Sequence, residues 1–459
     1  MKRHLLSLGI LCGLPLPLSA VQEPNVIVIV ADDLGYADVG FQGAKDIETP
    51  HLDSLAKSGV RFTNGYSSHP FCSPMRAGFM TGRYQQRFGY ETNVPYDPHN
   101  PLVGLAKDQI TIAERLQKAG LRTAAIGKWH LGASSVHHPL ARGFDFHFGF
   151  LGGGHDYFEV DLTRPMTEGY REPLQKNGKP EDLKGYLTDV LTTEAIGFVK
   201  QTARKPFFLY LAYNAPHTPL QAPEFWLEKY AGIADEKRRT YAAMVSTLDA
   251  GVGRLMETLD ALGLREKTVV FFVSDNGGPE HANASDNGPL RGEKGDVYEG
   301  GVRVPFIMSW PGVIEGDRTF QHPVNTIDVA CTALALAGIE IDDDPTLDGI
   351  NLLPFASGEN KGAPHDALFW RKMNGEAWAI RSGRWKLVRP SEDEPSALYD
   401  LETDIAEYQD LAAMNPDIVT TLEQKFDDWN TSNEICRQPE FRKYHKEMQQ
   451  FFKDMVSPE

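Results

Sequence analysis

Four apolar stretches of this 459-residue chain end in residues that can do chemistry. NVIVIVADD (25–33) ends in Asp32 and Asp33, and TVVFFVSDN (268–276) ends in Asp275 and Asn276. RTAAIGKWH (122–130) carries Lys128 and His130, and FFLYLAYNAPH (207–217) ends at His217. Three carboxylates and an amide offer only oxygen, which suits a hard cation such as Ca2+, or Mg2+ as second choice, rather than zinc. Lys128 and His130, together with Arg76 and Lys294, are able to surround a compact oxyanion. With a divalent cation added, that pocket would be net positive and would suit sulfate or phosphate. His217, set between Ala-Pro and Thr-Pro, is a candidate general acid. Taken singly, a strand-end aspartate is as readily an Asx-turn or a helix cap, and a lone lysine a solvated charge. Four strand ends carrying such groups together are hard to explain that way.

The intervening sequence supplies the elements that must position these residues. The runs 25–33, 122–128, 207–213 and 268–274 read as buried strands of a parallel sheet. Amphipathic segments such as ITIAERLQKAG and the long RRTYAAMVSTLDAGVGRLMETLDALG read as helices between them. TPHLDSLAKSGV reads as a helix and RFTNGYSS as the strand after it. This alternation predicts an α/β fold, a large, mostly parallel central sheet sandwiched by helices. In such sheets ligands bind beyond the carboxyl ends of the strands, where the polar residues fall. After residue 360 the texture changes to short strand-like runs and one helix. Residues 361–459 therefore read as a smaller C-terminal α+β subdomain with an antiparallel sheet and a charged tail, and 21–360 as the catalytic part.

Residues 1–20 have a basic start, an apolar run and a small-residue end, the pattern of a secretory signal peptide, which predicts a periplasmic or secreted protein. No later stretch is long and apolar enough for a membrane span. Cleavage would remove Lys2 and Arg3 and take the formal charge from −17 to −19. So acidic a chain argues against nucleic acid as a partner, and an anionic substrate would have to be drawn by a local basic pocket. Cys12 lies in the leader, leaving Cys72, Cys331 and Cys436, too few for a disulfide framework. Cys331 sits in IDVACTALALAG and reads as helix core, with a Cys331–Cys436 bridge left open.

Cys72 belongs to PFCSPMRAGFMTGR (70–83), and here the chain resembles the type I, formylglycine-dependent sulfatases of the alkaline-phosphatase-like superfamily. The shared pattern is Cys72-x-Pro74-x-Arg76 followed by Thr81-Gly82-Arg83, with Met75 where many members have serine. The blocks ADDLG (31–35), GKWHLG (127–132), APH (215–217), DNGG (275–278) and LRGEKGDVYEGGVRVP (290–305) match as well, as does LYDLETD near the C-terminus. The resemblance implies that a maturation enzyme oxidises Cys72 to formylglycine in the unfolded chain. It implies a cation on Asp32, Asp33, Asp275, Asn276 and residue 72, with Arg76, Lys128 and Lys294 on the sulfate oxygens. His217, with Lys294, would protonate the leaving oxygen, and His130 would take a proton from the hydrated aldehyde. The residues themselves agree on one point: Pro74 in a first helical turn places Cys72 at a helix N-terminus, which favours anions.

ARGFDFHFGFLGGGHDYF (141–158) resembles the corresponding stretch of bacterial sulfatases acting on sulfated glycans, which makes His155 a candidate for the substrate cleft. Asn283, Asp286 and Asn287 in HANASDNGPLRG (281–292) are candidates for hydrogen bonds to sugar hydroxyls. A carrageenan-type galactan is the first expectation for the substrate and a glycosaminoglycan the second. A phosphonate or phosphate ester hydrolase of the same superfamily and a non-catalytic glycan-binding protein are the alternatives. A papain-like thiolate at Cys72 is a further one, but it gives no reason for the oxygen-rich cluster.

Overall fold

The computed structural model describes residues 23–160, 170, 172–342 and 344–440, with 443, 444, 446, 447 and 450. The leader at 1–20 lies outside these residues. Ten strands form one sheet, in the spatial order Arg318–Phe320, Val60–Phe62, Phe306–Ser309, Thr268–Ser274, Asn25–Ala31, Phe207–Ala212, Arg122–Lys128, Phe146–Phe150, Leu174–Lys176 and Lys179–Glu181. The five from Thr268–Ser274 to Phe146–Phe150 are parallel, with Val26 level with Phe208 on one side and Val269 on the other. Their carboxyl ends therefore emerge along one edge.

The first strand shows why the sheet is covered on both faces. Val26, Val28 and Val30 point into one core with Phe79, Leu116 and Val329, from helices Cys72–Thr81, Ile112–Lys118 and Thr326–Leu336. Ile27, Ile29 and Ala31 point into the other with Leu52, Leu191 and Leu248, from helices Pro50–Lys57, Leu187–Thr202 and Glu236–Ala261. Alternation along a strand sends successive side chains to opposite faces, so an unbroken apolar run is what a doubly covered strand requires.

One expected strand is divided. RFTNGYSS forms the ends of two short strands, Val60–Phe62 in the large sheet and Gly65–Tyr66 in a two-stranded one with Val324–Asn325. A Cβ on Gly65 would stand 2.4 Å from Phe306 Cβ, so the chain turns away there against the neighbouring strand. Cys331 is buried in its helix as expected, and it, Cys72 and Cys436 are all free thiols, so Cys331 and Cys436 are not bridged.

Strands Leu368–Lys372, Ala377–Ser382, Trp385–Arg389 and Ala397–Asp400 make a four-stranded antiparallel sheet. Helix Pro416–Asn430 covers one face, with Trp378 stacked on Phe426 at 4.3 Å between centroids. The other face packs on Tyr66, Val297 and Val302 of the main body. Charge is buried in this junction. Lys386 Nζ lies 2.8 Å from Glu299 Oε1 and 3.0 Å from Glu407 Oε1, all three side chains fully buried. Arg303 and Tyr66 complete the set around Glu299. The segment after the helix lies along the main body, its Glu434 and Arg437 amides donating to Gln86 O and Gly89 O. At the far edge of the large sheet, Lys179–Glu181 is exposed throughout. Among the described residues no helix is long and apolar enough to cross a membrane.

Removing one partner of a buried ion pair leaves an uncompensated charge, so Lys386→Met should cost about 3–5 kcal/mol in urea denaturation. Burial pushes the Glu407 carboxyl up to about 7 against the attraction of Lys386. A raised carboxyl stabilises the folded state below its unfolded pKa, and that contribution is lost as pH rises through the folded value. The stability of the wild type relative to Glu407→Gln should therefore fall between about pH 4.5 and pH 7. A constant difference across that range would show that Glu407 stays charged.

Candidate active site

The carboxyl ends of four parallel strands bring Asp32, Asp33, Lys128, His217, Asp275 and Asn276 together. Helix Cys72–Thr81, all ten of its residues buried, points its N-terminus at them. Cys72 is its first residue, with Sγ 3.6 Å from Asp32 Oδ1 and 3.9 Å from Asp33 Oδ1. Ligand atoms of Asp32, Asp33, Cys72 and Asp275 all lie within 4.8 Å of one another. Asp33 holds a left-handed backbone, φ 63°, rare for a residue with a side chain and typical of sites where the surroundings fix the chain.

Each carboxylate meets a cation. Lys128 Nζ is 2.6 Å from Asp32 Oδ2, Arg76 donates to Asp275 Oδ2 at 2.7 Å, and Lys294 Nζ is 2.8 Å from Asp33 Oδ1. Arg76 is placed by two further bonds, to Lys128 O at 3.1 Å and the Tyr210 hydroxyl at 3.3 Å. These pairs set the proton affinities. Burial, with Asp275 adding to it, pushes Asp32 up, and Lys128 and Arg76 pull against that. Burial acts the same way on Asp275, but Arg76, Lys128 and Lys294 outweigh it and hold that carboxyl well below the usual range. Burial, then Asp275, pushes the Cys72 thiol well above its ordinary value.

The two histidines differ. His130, also left-handed at φ 56°, is held by Ser73, whose hydroxyl donates to its carbonyl at 2.6 Å. Burial and the cations Lys128, Arg76 and Lys294 hold His130 well below its ordinary value, so it is neutral and able to accept a proton. A Cβ on Gly153 would come within 3.0 Å of its ring, which is why glycine borders it. His217 has Nδ1 2.7 Å from Thr218 O, which assigns the proton to that nitrogen and leaves Nε2 facing Asp33 Oδ2 at 3.5 Å.

A cation fits here on the chemistry of the donors. Asn276 Nδ2 donates to Asp33 Oδ1 at 2.7 Å and to Gly277 O at 2.9 Å, which fixes the amide's orientation. Its Oδ1 is buried with no hydrogen-bond partner among the described residues. A buried oxygen without a donor beside three carboxylates is what an oxygen-binding cation satisfies.

Four expected substrate contacts are placed elsewhere. His155 is fully buried, its ring nitrogens 2.6 Å from Asp156 O and 3.1 Å from Glu172 O, so main-chain carbonyls engage it rather than the cleft. Asn283 donates to Asp33 O and accepts from the Ser285 amide, and Asn287 exchanges both bonds with Gly278. These two brace the loop after Asn276. Asp286 is exposed and caps the Gly288 amide at 2.7 Å. The cavity that opens over Cys72, about 610 Å³, is instead bordered by Thr92, Asn93, Lys372, Met373, Glu376 and Glu440, beside His130, His217 and Lys294. None of these six belongs to a motif. They arrive from a loop, a hairpin and the C-terminal segment, and nothing in their local sequence marks them.

The family model for sulfatases matches residues 24–339, and one for the C-terminal part of N-sulphoglucosamine sulphohydrolase matches 293–432. Human N-acetylgalactosamine-6-sulfatase is 36% identical over 354 residues, 73% of this chain but just under two thirds, 66%, of its own length. An uncharacterised sulfatase of Escherichia coli, YdeN, is 31% identical over 89% of this chain and 86% of its own. The crystal structure of Ps i-CgsB in complex with k-i-k-neocarrahexaose superposes with a TM-score of 0.86 at 40% identity, covering 91% of this chain and 95% of that one.

The cation site is testable without turnover. A divalent cation added to chelator-stripped protein at a hundredfold excess over its Kd should stabilise it by about 2.7 kcal/mol. In Asn276→Leu the shift in melting temperature should be much smaller. An equal shift in the variant would show that the Asn276 oxygen is no ligand.

Proposed function

The chain belongs to the sulfatase family of sulfuric ester hydrolases, and on that premise we propose that it removes sulfate from a carrageenan-type galactan. The observation that carries the chemistry is the buried cluster of three carboxylates, three cations and two histidines around Cys72, open to one large cavity. The galactan rests on likeness to a structure solved with a carrageenan oligosaccharide at 40% identity. The human relative's name favours a glycosaminoglycan as the second reading. The signal-like leader supports action in the periplasm or outside the cell, where such polymers are met.

Asp32, Asp33, Asp275 and Asn276 would hold the cation, proposed as Ca2+ with Mg2+ second. Bound there, it supplies charge that polarises a sulfate oxygen and the oxygen that attacks. Were Cys72 oxidised to formylglycine by an oxygen-using maturation enzyme, the aldehyde plus one water would offer two geminal hydroxyls at residue 72, one to attack sulfur with its proton passing to Asp275 of the carboxylate cluster, and one whose proton loss would reform the aldehyde and release sulfate. Arg76, Lys128 and Lys294 neutralise charge that builds on the sulfate oxygens. Their present carboxylate partners hold them in place before substrate arrives. As the imidazolium, with Nδ1–H on Thr218 O and Nε2–H towards Asp33 Oδ2, His217 would give the Nε2 proton to the leaving sugar oxygen. Neutral His130 accepts the proton of the second hydroxyl, and the bond from Ser73 fixes its backbone.

A sugar alkoxide needs a proton to leave, whereas a nitrophenolate scarcely does. His217→Ala should therefore lose about 10²–10⁴-fold on a carrageenan oligosaccharide and much less on an aryl sulfate. His130→Ala should lose similar factors on both, because it acts after the leaving group has gone. Cys72→Ala should release no sulfate from either. Equal losses for His217→Ala on both substrates would transfer the acid role to Lys294. An aryl phosphate diester cleaved faster than an aryl sulfate would overturn the sulfatase reading in favour of phosphoester hydrolysis.

A further inference from the structure

The cavity over Cys72 falls in the ~300–1,000 Å³ range of pockets that enclose a drug-sized ligand, more than a sulfate group needs. Part of its border comes from the hairpin between strands Leu368–Lys372 and Ala377–Ser382. Arg371 and Lys372 are successive and point to opposite sides of their strand. Arg371 turns inward to a buried ion pair with Glu91. Lys372 turns to the cavity, where its Nζ donates to Gly295 O at 2.9 Å and sits 5.7 Å from the centre of the Phe71 ring. Phe71 precedes Cys72 and Gly295 follows Lys294, so this ammonium rests against the chain neighbours of two reacting residues. A Cβ on Gly295 would stand 3.2 Å from the Phe71 ring, which closes the wall that Lys372 covers.

The turn that presents Lys372 is held in an uncommon shape. Met373 and Asn374 both have left-handed backbones, φ 45° and 65°. The Asn374 amide donates to Glu91 Oε2 at 3.1 Å, and its side chain accepts the Cys436 amide at 2.5 Å. Two non-glycine residues kept in this region need surroundings that over-determine them, and such places cluster at ligand-binding sites. No carboxylate of the described residues forms an ion pair with Lys372, and one carbonyl engages only one of its three N–H groups.

We propose that Lys372 is a second anion subsite, reading a further sulfate on the same glycan next to the ester being cleaved. This rests on the reading of the chain as a glycan sulfatase. Lysine suits the task as a compact point charge on a long stem. Exposed Glu376 and Glu440 also border the cavity, so its rim carries both signs. The second sulfate is therefore read by its place, not by general attraction.

The test compares two carrageenan oligosaccharides of equal length, one bearing only the scissile sulfate and one with a second sulfate on the adjacent sugar. The wild type should show a kcat/KM about tenfold higher for the doubly sulfated one, the size of one charge-assisted hydrogen bond. Lys372→Met should bring that ratio close to one, mostly through KM, and Lys372→Arg should restore part of it. A wild type with no preference would overturn the proposal whatever the variants do. Equal losses on both substrates in Lys372→Met would also overturn it, showing that Lys372 serves only to hold the Lys294 loop. Cleavage of an aryl sulfate with neither oligosaccharide touched would instead overturn the galactan reading, and the same ratio on glycosaminoglycan disaccharides with one and two sulfates would then decide on Lys372.

Discussion

Three carboxylates and three cations share a buried pocket, and neither set would be tolerable there without the other. Taking an ion out of water costs several kcal/mol even after the protein relaxes. Asp32, Asp33 and Asp275 offset that cost through Lys128, Lys294 and Arg76, at 2.6–2.8 Å. The six come from five separate parts of the chain, so the balance exists only when the sheet, the Cys72–Thr81 helix and the Lys294 loop are all in place. The polar half of the fold thus has the same all-or-none character as its apolar core.

The Lys294 loop ties this balance to the rest of the molecule. Within ten residues it carries Lys294 to Asp33, Gly295 to Phe71 and Lys372, and Glu299 to Lys386 of the small sheet. Close backbone approaches hold it in this course: a Cβ on Gly300 would stand 2.1 Å from Gly292 O, and one on Gly301 2.0 Å from Asp296 O. The small sheet is therefore more than a cover. The junction that docks it is continuous with a residue facing the reacting centre, and its hairpin walls the cavity.

What could be read from the sequence follows from what local patterns encode. Unbroken apolar runs identified the parallel strands, and a polar residue at the end of such a run has one place to go, the carboxyl edge. Asp32, Asp33, Lys128, Asp275 and Asn276 were legible for that reason. Polar residues in loops have no such constraint. His155 and Asn287 look the same in sequence whether they face sugar hydroxyls or main-chain carbonyls, and here backbone partners take them. Lys372 and Asn93 were invisible because their place depends on how distant elements dock, not on their neighbours in the chain. The division of 60–66 into two strands was hidden similarly, in the approach of Gly65 to Phe306.

The exposed final strand, Lys179–Glu181, bears on how the molecule behaves in a crowd. An open sheet ends in unpaired amides and carbonyls that invite a neighbour's strand. Here that edge is three residues long, charged at both ends, and has Pro180 in the middle, which has no amide hydrogen to offer. A second copy finds too short and too broken a template to continue the ladder. On this side, then, the ten-stranded sheet gives a neighbour little to pair with.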